Sequence, residues 1–155
     1  MAGQPPAQRA KKIDGRLPTS LISLPTAITG EESGSDYASL ATRDLQRGQA
    51  VGLPSGEELA RAIGVEPLTG EQTGLSEHGW RDETPLWLYV LKEAQALHDG
   101  ERLGPVGGKI VGEVLIGMIE SDRESFLAVD PKWAPTLPAR SAGAFGLADI
   151  VAPVE

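Results

Sequence analysis

Cysteine is absent from this chain of 155 residues. Its absence excludes disulfides, thiolate metal sites, iron–sulfur clusters and thiol nucleophiles, although it does not fix the compartment, because exported proteins can also lack cysteine. Histidine is scarce as well, since only His78 and His98 occur and neither has a metal-ligand spacing around it. We assign His98 to capping the end of a helix and His78 to a solvated loop. The sequence therefore predicts no metal site.

Long hydrophobic runs are also missing. The most apolar stretch, residues 110–119, is far shorter than the roughly 20 residues that a membrane-spanning helix needs. Residues 1–12 carry positive charge with no apolar run after them, so we expect no secretory signal and place the chain in the cytoplasm. The chain has 22 acidic and 14 basic side chains and a net charge of -8. Nucleic acid and membrane surfaces are therefore poor candidate partners.

What the sequence does contain predicts a mainly α fold with long irregular connections, because 19 glycines and 12 prolines are many for a helical bundle of this length. Apolar spacing and capping signals predict helices over 36–47, 57–63, 85–98 and 106–120. Ser55 and Glu58 have the spacing of a capping box, and Thr84 followed by a proline is typical of a helix start. We expect the last of these helices to be buried nearly all round.

The glycines of the predicted helix 106–120 allow another backbone or a flat ligand to approach closely, and the spacing alone leaves both possibilities open. Signatures of common enzymes are missing: we find neither a phosphate-binding glycine loop with a lysine nor a nucleophile elbow, and we assign no catalytic residue. Asp44 is the one acidic residue that stands out, within a predicted helix and one turn before Arg47. It forms either an ordinary intrahelical pair or a buried acceptor aimed at a partner group.

Two ordered stretches of sequence carry a resemblance to a known family. Residues 40–54 read Leu-Ala-Thr-Arg-Asp-Leu-Gln-Arg-Gly-Gln-Ala-Val-Gly-Leu-Pro, and residues 100–105 read Gly-Glu-Arg-Leu-Gly-Pro, with Asp-Arg-Glu-Ser-Phe following at 122–126. The first resembles the proximal-side helix of the animal haem peroxidases, which include myeloperoxidase-like and cyclooxygenase-like proteins. The second resembles the family's Gly-Arg-x-Gly-Pro helix and its exit. The whole is most similar to bacterial members.

The resemblance implies a helical C-terminal lobe of the peroxidase fold over residues 13–127. Residues 1–12 are then a disordered or adherent arm, and 128–155 a mostly irregular tail. It also implies two cofactor-binding residues. Asp44 matches the asparagine that hydrogen-bonds the proximal histidine ligand, and Arg47 matches the arginine near a haem propionate. A carboxylate in that place would raise the basicity of the histidine ligand.

The chain departs from the family in one large respect. The family's distal histidine, its catalytic arginine and its proximal histidine all lie N-terminal to the matched region, and none has a counterpart here. The resemblance thus implies haem-dependent, peroxide-driven oxidation in the response to oxidative stress, but only when a complementing N-terminal portion supplies the haem site. The expected partner is that complementing half or a second copy. The alternatives are a non-catalytic helical interaction protein and a degenerate remnant.

Overall fold

The computed structural model describes residues 10–30, 35–139 and 145–151. Its α-helices are α1 (Thr19–Ile22), α2 (Thr26–Thr29), α3 (Leu40–Ala50), α4 (Gly56–Ala62), α5 (Gly70–Thr73), α6 (Leu86–His98), α7 (Pro105–Ser121), α8 (Phe126–Val129) and α9 (Leu147–Ile150). Two 3₁₀ turns, Ser35–Ala38 and Ser76–His78, complete the regular structure. No β-strand occurs in these described ranges, so the prediction of a mainly α fold is confirmed.

The start of α4 follows its local sequence signal. The Ser55 hydroxyl accepts the Glu58 N–H at 2.9 Å, and the Glu58 carboxylate accepts the Ser55 N–H at 3.0 Å. These reciprocal bonds satisfy two backbone donors that a helix start leaves unpaired. The chain leaves the helix at Gly64, whose φ of 75° favours glycine. The predicted capping box is confirmed.

Helix α3 is displaced from its predicted range, 36–47, at both ends. Residues 35–38 form a 3₁₀ turn, and α3 begins only after Ser39, whose hydroxyl accepts the Thr42 N–H at 3.5 Å. Serine is a favoured N-cap, so it sets the start of the helix. The other end also differs, because Gly48 lies inside the helix and the first positive φ after the helix is at Gly52.

Thr84 does not cap α6, although its position before Pro85 predicted that role. Its N–H and hydroxyl donate to the two carboxylate oxygens of Glu57, at 2.8 and 2.7 Å. Pro85 takes the N-cap position instead. The buried Thr84 therefore ties the segment before α6 to the first turn of α4.

The described chain divides into two compact units, one ending at Val111 and the other beginning at Gly112. In the first unit α3, α4 and α5 all contact α6. Tyr89 of α6 is fully buried, and its hydroxyl accepts the Leu68 N–H at 3.0 Å. A Cβ on Gly56 would lie 1.9 Å from the Tyr89 ring, so α4 can pack this closely only with glycine there. The core of buried apolar residues is Ala60, Leu68, Tyr89 and Val106.

The start of α7 is held by a buried carboxylate from α6. Glu93 is 1% exposed, and its oxygens accept the N–H groups of Val106, at 3.0 and 3.1 Å, and of Gly107, at 3.1 Å. Negative charge at a helix N-terminus is stabilising, because the free N–H groups and the helix dipole both favour it. A Cβ on Gly104 would lie 2.3 Å from the Glu93 side chain, so glycine gives the carboxylate its space.

The prediction that α7 is buried nearly all round is wrong for its outer half, which lies in the second unit. Val114 is 56% exposed, Leu115 56% and Met118 63%. Burial in α7 is confined to Val106 and Gly107 near its start.

In the second unit, the rings of Phe126 and Trp133 form an edge-to-face pair with ring centroids 5.4 Å apart. None of the helices in the described part of the chain is both long and apolar enough to cross a bilayer.

Candidate functional site

A groove of about 480 Å³ lies beside α3 in the first unit. We call it the α3–α6 groove, because α3 lines it on one side and the approach to α6 lines it on the other. The side chains that matter for its chemistry are Asp44, Leu45, Leu53, Trp80, Glu83 and Trp87. Its wall from α3 belongs to the sequence run that resembles the peroxidase proximal-side helix.

Asp44 lies in this groove and is largely shielded from water, with a side chain 23% exposed. Its charged partner is Arg47, whose guanidinium nitrogen lies 3.9 Å from the carboxylate oxygen. Arg47 is 83% exposed, and a long ion pair to such a solvated side chain is weak. Within the described part of the chain no N–H or O–H donates a hydrogen bond to the carboxylate of Asp44, whose backbone carbonyl lies inside α3. Its carboxylate therefore keeps most of its capacity to accept.

The two residues predicted to bind a cofactor thus lie one turn apart on α3 but differ in surroundings. Asp44 lines the α3–α6 groove and also a second groove of about 710 Å³ beside α3. Arg47 lines only the second groove, together with apolar residues of the segment around α1 such as Leu21 and Leu24. The structure therefore brings both residues to one helix and places only Asp44 in the α3–α6 groove.

The wall of the α3–α6 groove that faces α3 was not predicted from the sequence. Trp80 is 44% exposed, and its indole N–H donates to the Glu83 carbonyl oxygen at 3.4 Å. The Glu83 carboxylate accepts hydrogen bonds from the Ser55 hydroxyl and the Arg61 guanidinium. The Ser55 bond, followed by the Arg61 bond, lowers the pKa of Glu83, so it remains charged. No local sequence signal links these residues to α3.

The two histidines lie elsewhere. His78 is exposed in the 3₁₀ turn Ser76–His78, and His98 is the last residue of α6, as predicted. Neither lines the α3–α6 groove. Among the described residues no group of three or more histidine and acidic side chains is placed to hold a metal ion.

Haem was the cofactor expected from the resemblance, and the groove fits it only in part. The groove offers a carboxylate acceptor and apolar and indole walls, but its lining includes no imidazole to serve as an axial ligand for the iron. The α3–α6 groove by itself therefore lacks the histidine ligand that the resemblance implies. Comparisons with protein-family models, curated proteins and solved structures found no match for this chain. The family resemblance stays a prediction.

Proposed function

We propose that this chain is the helical C-terminal lobe of a haem peroxidase-type protein, and that a second polypeptide completes its site. The proposed activity of the assembly is peroxide-driven oxidation in the response to oxidative stress, in the cytoplasm, and the chain alone is inactive. The supporting observation is Asp44. It lies on the helix that resembles the family's proximal-side helix, its side chain is shielded, and it lines a groove whose lining has no imidazole.

The state of this carboxylate is the physical reason for expecting a partner. A charged group held partly out of water is costly unless it is paired or hydrogen-bonded. Arg47, 3.9 Å away and mostly solvated, provides little of that compensation. A donor brought by another polypeptide would supply a short, charge-assisted hydrogen bond. In the family that donor is the ring N–H of the proximal histidine, which this groove would receive from the complementing half.

The test is reconstitution with a polypeptide that carries the missing histidines, for which the product of the upstream reading frame is the first choice. We expect the chain alone, mixed with haemin, to give no sharp Soret band and no peroxide turnover, and the co-expressed pair to give both. Asp44→Asn in the pair should retain haem and raise the iron reduction potential, because an amide is a weaker acceptor than a carboxylate. Asp82→Asn, an exposed substitution of the same kind, is the control.

Two results would contradict the proposal. Turnover by the isolated chain would show that it needs no second half. A stable pair that takes up no haem at all would remove the peroxidase assignment. Cell fractionation tests the proposed compartment.

A non-catalytic interaction protein is the second candidate, favoured by the exposed apolar side chains on the outer half of α7. Val114, Leu115 and Met118 are all more than half exposed, and contiguous apolar surface of this kind usually marks an interface. We expect light scattering after size-exclusion chromatography to show self-association that Leu115→Glu abolishes. A chain that remains monomeric at every concentration and captures no partner would exclude this candidate. Failure to unfold cooperatively would instead point to a degenerate remnant.

A further inference from the structure

The charge of the α3–α6 groove has one sign. Asp44 and Glu83 line it, and no lysine or arginine is among its lining residues. Arg61 compensates Glu83 from outside the groove, whereas among the described residues Asp44 has only its long ion pair to Arg47. The net charge of the chain, -8, adds a background that attracts cations. An anionic ligand would be repelled here, and a cationic one would be drawn in.

Two indoles add a second, independent preference for a cation. Trp80 and Trp87 both line the groove, and Trp80 is 44% exposed. The faces of tryptophan rings attract cations, and the attraction to a guanidinium is stronger when water is excluded. Arginine suits this combination better than lysine, because its planar group stacks on an indole and also binds a carboxylate with two N–H groups.

The groove is also too apolar and too open for a small cation to cover it. Leu45, Leu53 and Leu86 line it beside the tryptophans, and Leu53 is 51% exposed. A ligand that covers both the acidic position and these leucines needs a cationic group with apolar groups on either side of it. A polypeptide segment with arginine flanked by apolar side chains meets both requirements, and arginine is among the residues enriched in interfaces and their hot spots.

We propose that the α3–α6 groove docks such a segment of a second polypeptide, with an arginine side chain placed against Trp80 and Trp87 and facing Asp44. The existence of the partner rests on the proposed function, and its chemistry is that of an arginine-bearing segment. The two oxygens of the Asp44 carboxylate can accept from this arginine and from the histidine ring N–H of the proposed function together. The proposal does not require haem.

The test uses the full chain and the blocked peptide acetyl-Leu-Arg-Leu-Arg-Leu-amide as the probe. Binding is measured by titration calorimetry. The matched probe carries citrulline in place of arginine, which keeps the shape and removes the charge. We expect the arginine peptide to bind about tenfold more tightly than the citrulline peptide, the size of one good charge-assisted contact. Its affinity should also fall as salt is raised.

Variants of the chain locate the binding. Asp44→Asn and Trp87→Leu should each weaken the arginine peptide about tenfold, the range of one such contact. Asp82→Asn removes the same charge from an exposed position that does not line the groove, and it should leave affinity unchanged. Thermal melts monitored by circular dichroism check that each variant is folded. If Trp87→Leu does not fold, the difference in peptide affinity between Asp44→Asn and Asp82→Asn still tests whether the peptide binds in the groove.

Equal affinity for the two peptides would overturn the proposal, and so would equal losses for Asp44→Asn and Asp82→Asn, since both indicate unspecific attraction. Self-association that Asp44→Asn abolishes, and that the arginine peptide competes away, would show that a second copy occupies the groove and would also overturn it. Haem uptake by the co-expressed pair is measured separately. Peptide binding without haem uptake would therefore remove the peroxidase assignment alone, and haem uptake without peptide binding would remove this inference alone.

Discussion

Glu93 offers the sharpest test of how the first unit is held together. Replacing it with alanine removes the acceptor of the Val106 and Gly107 N–H groups, which lie in buried surroundings. Each buried donor left without a partner costs about 1–3 kcal/mol. Two such donors together cost about 2–6 kcal/mol, which is a large share of the about 5–15 kcal/mol that stabilises an ordinary domain.

Urea unfolding followed by circular dichroism measures this loss, and hydrogen exchange at the amides of Val106 and Gly107 locates it. Glu93→Gln should lower the free energy of unfolding by less than Glu93→Ala, because the glutamine amide keeps one oxygen acceptor. It should still lower it, because the NH₂ group then faces a backbone donor. Glu66→Ala, at an exposed position, is the control and should change stability by no more than about 0.5 kcal/mol. The account of this cap would be refuted if Glu93→Ala were as stable as the control, or if both amides kept their protection.

Three further predictions follow from contacts around Tyr89 and Glu83. Gly56→Ala should lower the free energy of unfolding by about 1–3 kcal/mol or more, because the new methyl group would overlap the Tyr89 ring. A thermal melt measures this loss, and an unchanged melting temperature would show that α4 can move away from Tyr89 at no cost. Burial raises the pKa of Tyr89 above its ordinary 10.0, so the folded state favours the neutral phenol, and this stabilisation is complete below pH 10 and lost as pH rises further. Tyr89→Phe should therefore weaken the alkaline dependence of unfolding while costing about 1–3 kcal/mol at neutral pH through the orphaned Leu68 N–H; an unchanged alkaline dependence would contradict this. The hydrogen bonds from Ser55 and Arg61 lower the pKa of Glu83 from 4.5. Its contribution to the stability of the folded state is therefore present above that pH and lost as pH falls below it. The loss of stability on acidification should be smaller in Glu83→Gln than in the unchanged chain, and an equal loss would show that these bonds do not stabilise the fold.

Signals that act within a few residues were predictable from sequence. The capping box at Ser55 and Glu58 and the turn at Gly64 depend on bonds inside one helical turn, so the order of residues determines them. Contacts between distant segments were not predictable. Glu93 reads as an ordinary polar residue on α6, and only the packing of α7 against α6 turns it into a cap. Thr84 is a second example. Its position before a proline predicts a helix cap, but its hydroxyl donates a hydrogen bond to Glu57 of another helix instead.

The residues of the candidate site also differ in whether the sequence could predict them. Asp44 stood out as an acidic residue inside a predicted helix, and the family resemblance predicted it as a cofactor-binding residue. The structure places it in a groove, and its role in binding a cofactor stays a prediction. Arg47, which the resemblance predicted near a haem propionate, is 83% exposed and lines the second groove together with Asp44. Trp80, Glu83 and Trp87 come from another segment of the chain. Their place opposite α3 depends on tertiary packing, which no spacing in the sequence reports.

The α3–α6 groove and the outer half of α7 place different physical demands on whatever binds them. The groove presents Asp44 beside indoles, so a partner there gains affinity from charge and loses it as salt is added. The outer half of α7 presents Val114, Leu115 and Met118, so association there gains from apolar burial and strengthens with salts that favour such burial. The salt dependence of any complex this chain forms therefore identifies the surface in use before a single residue is changed.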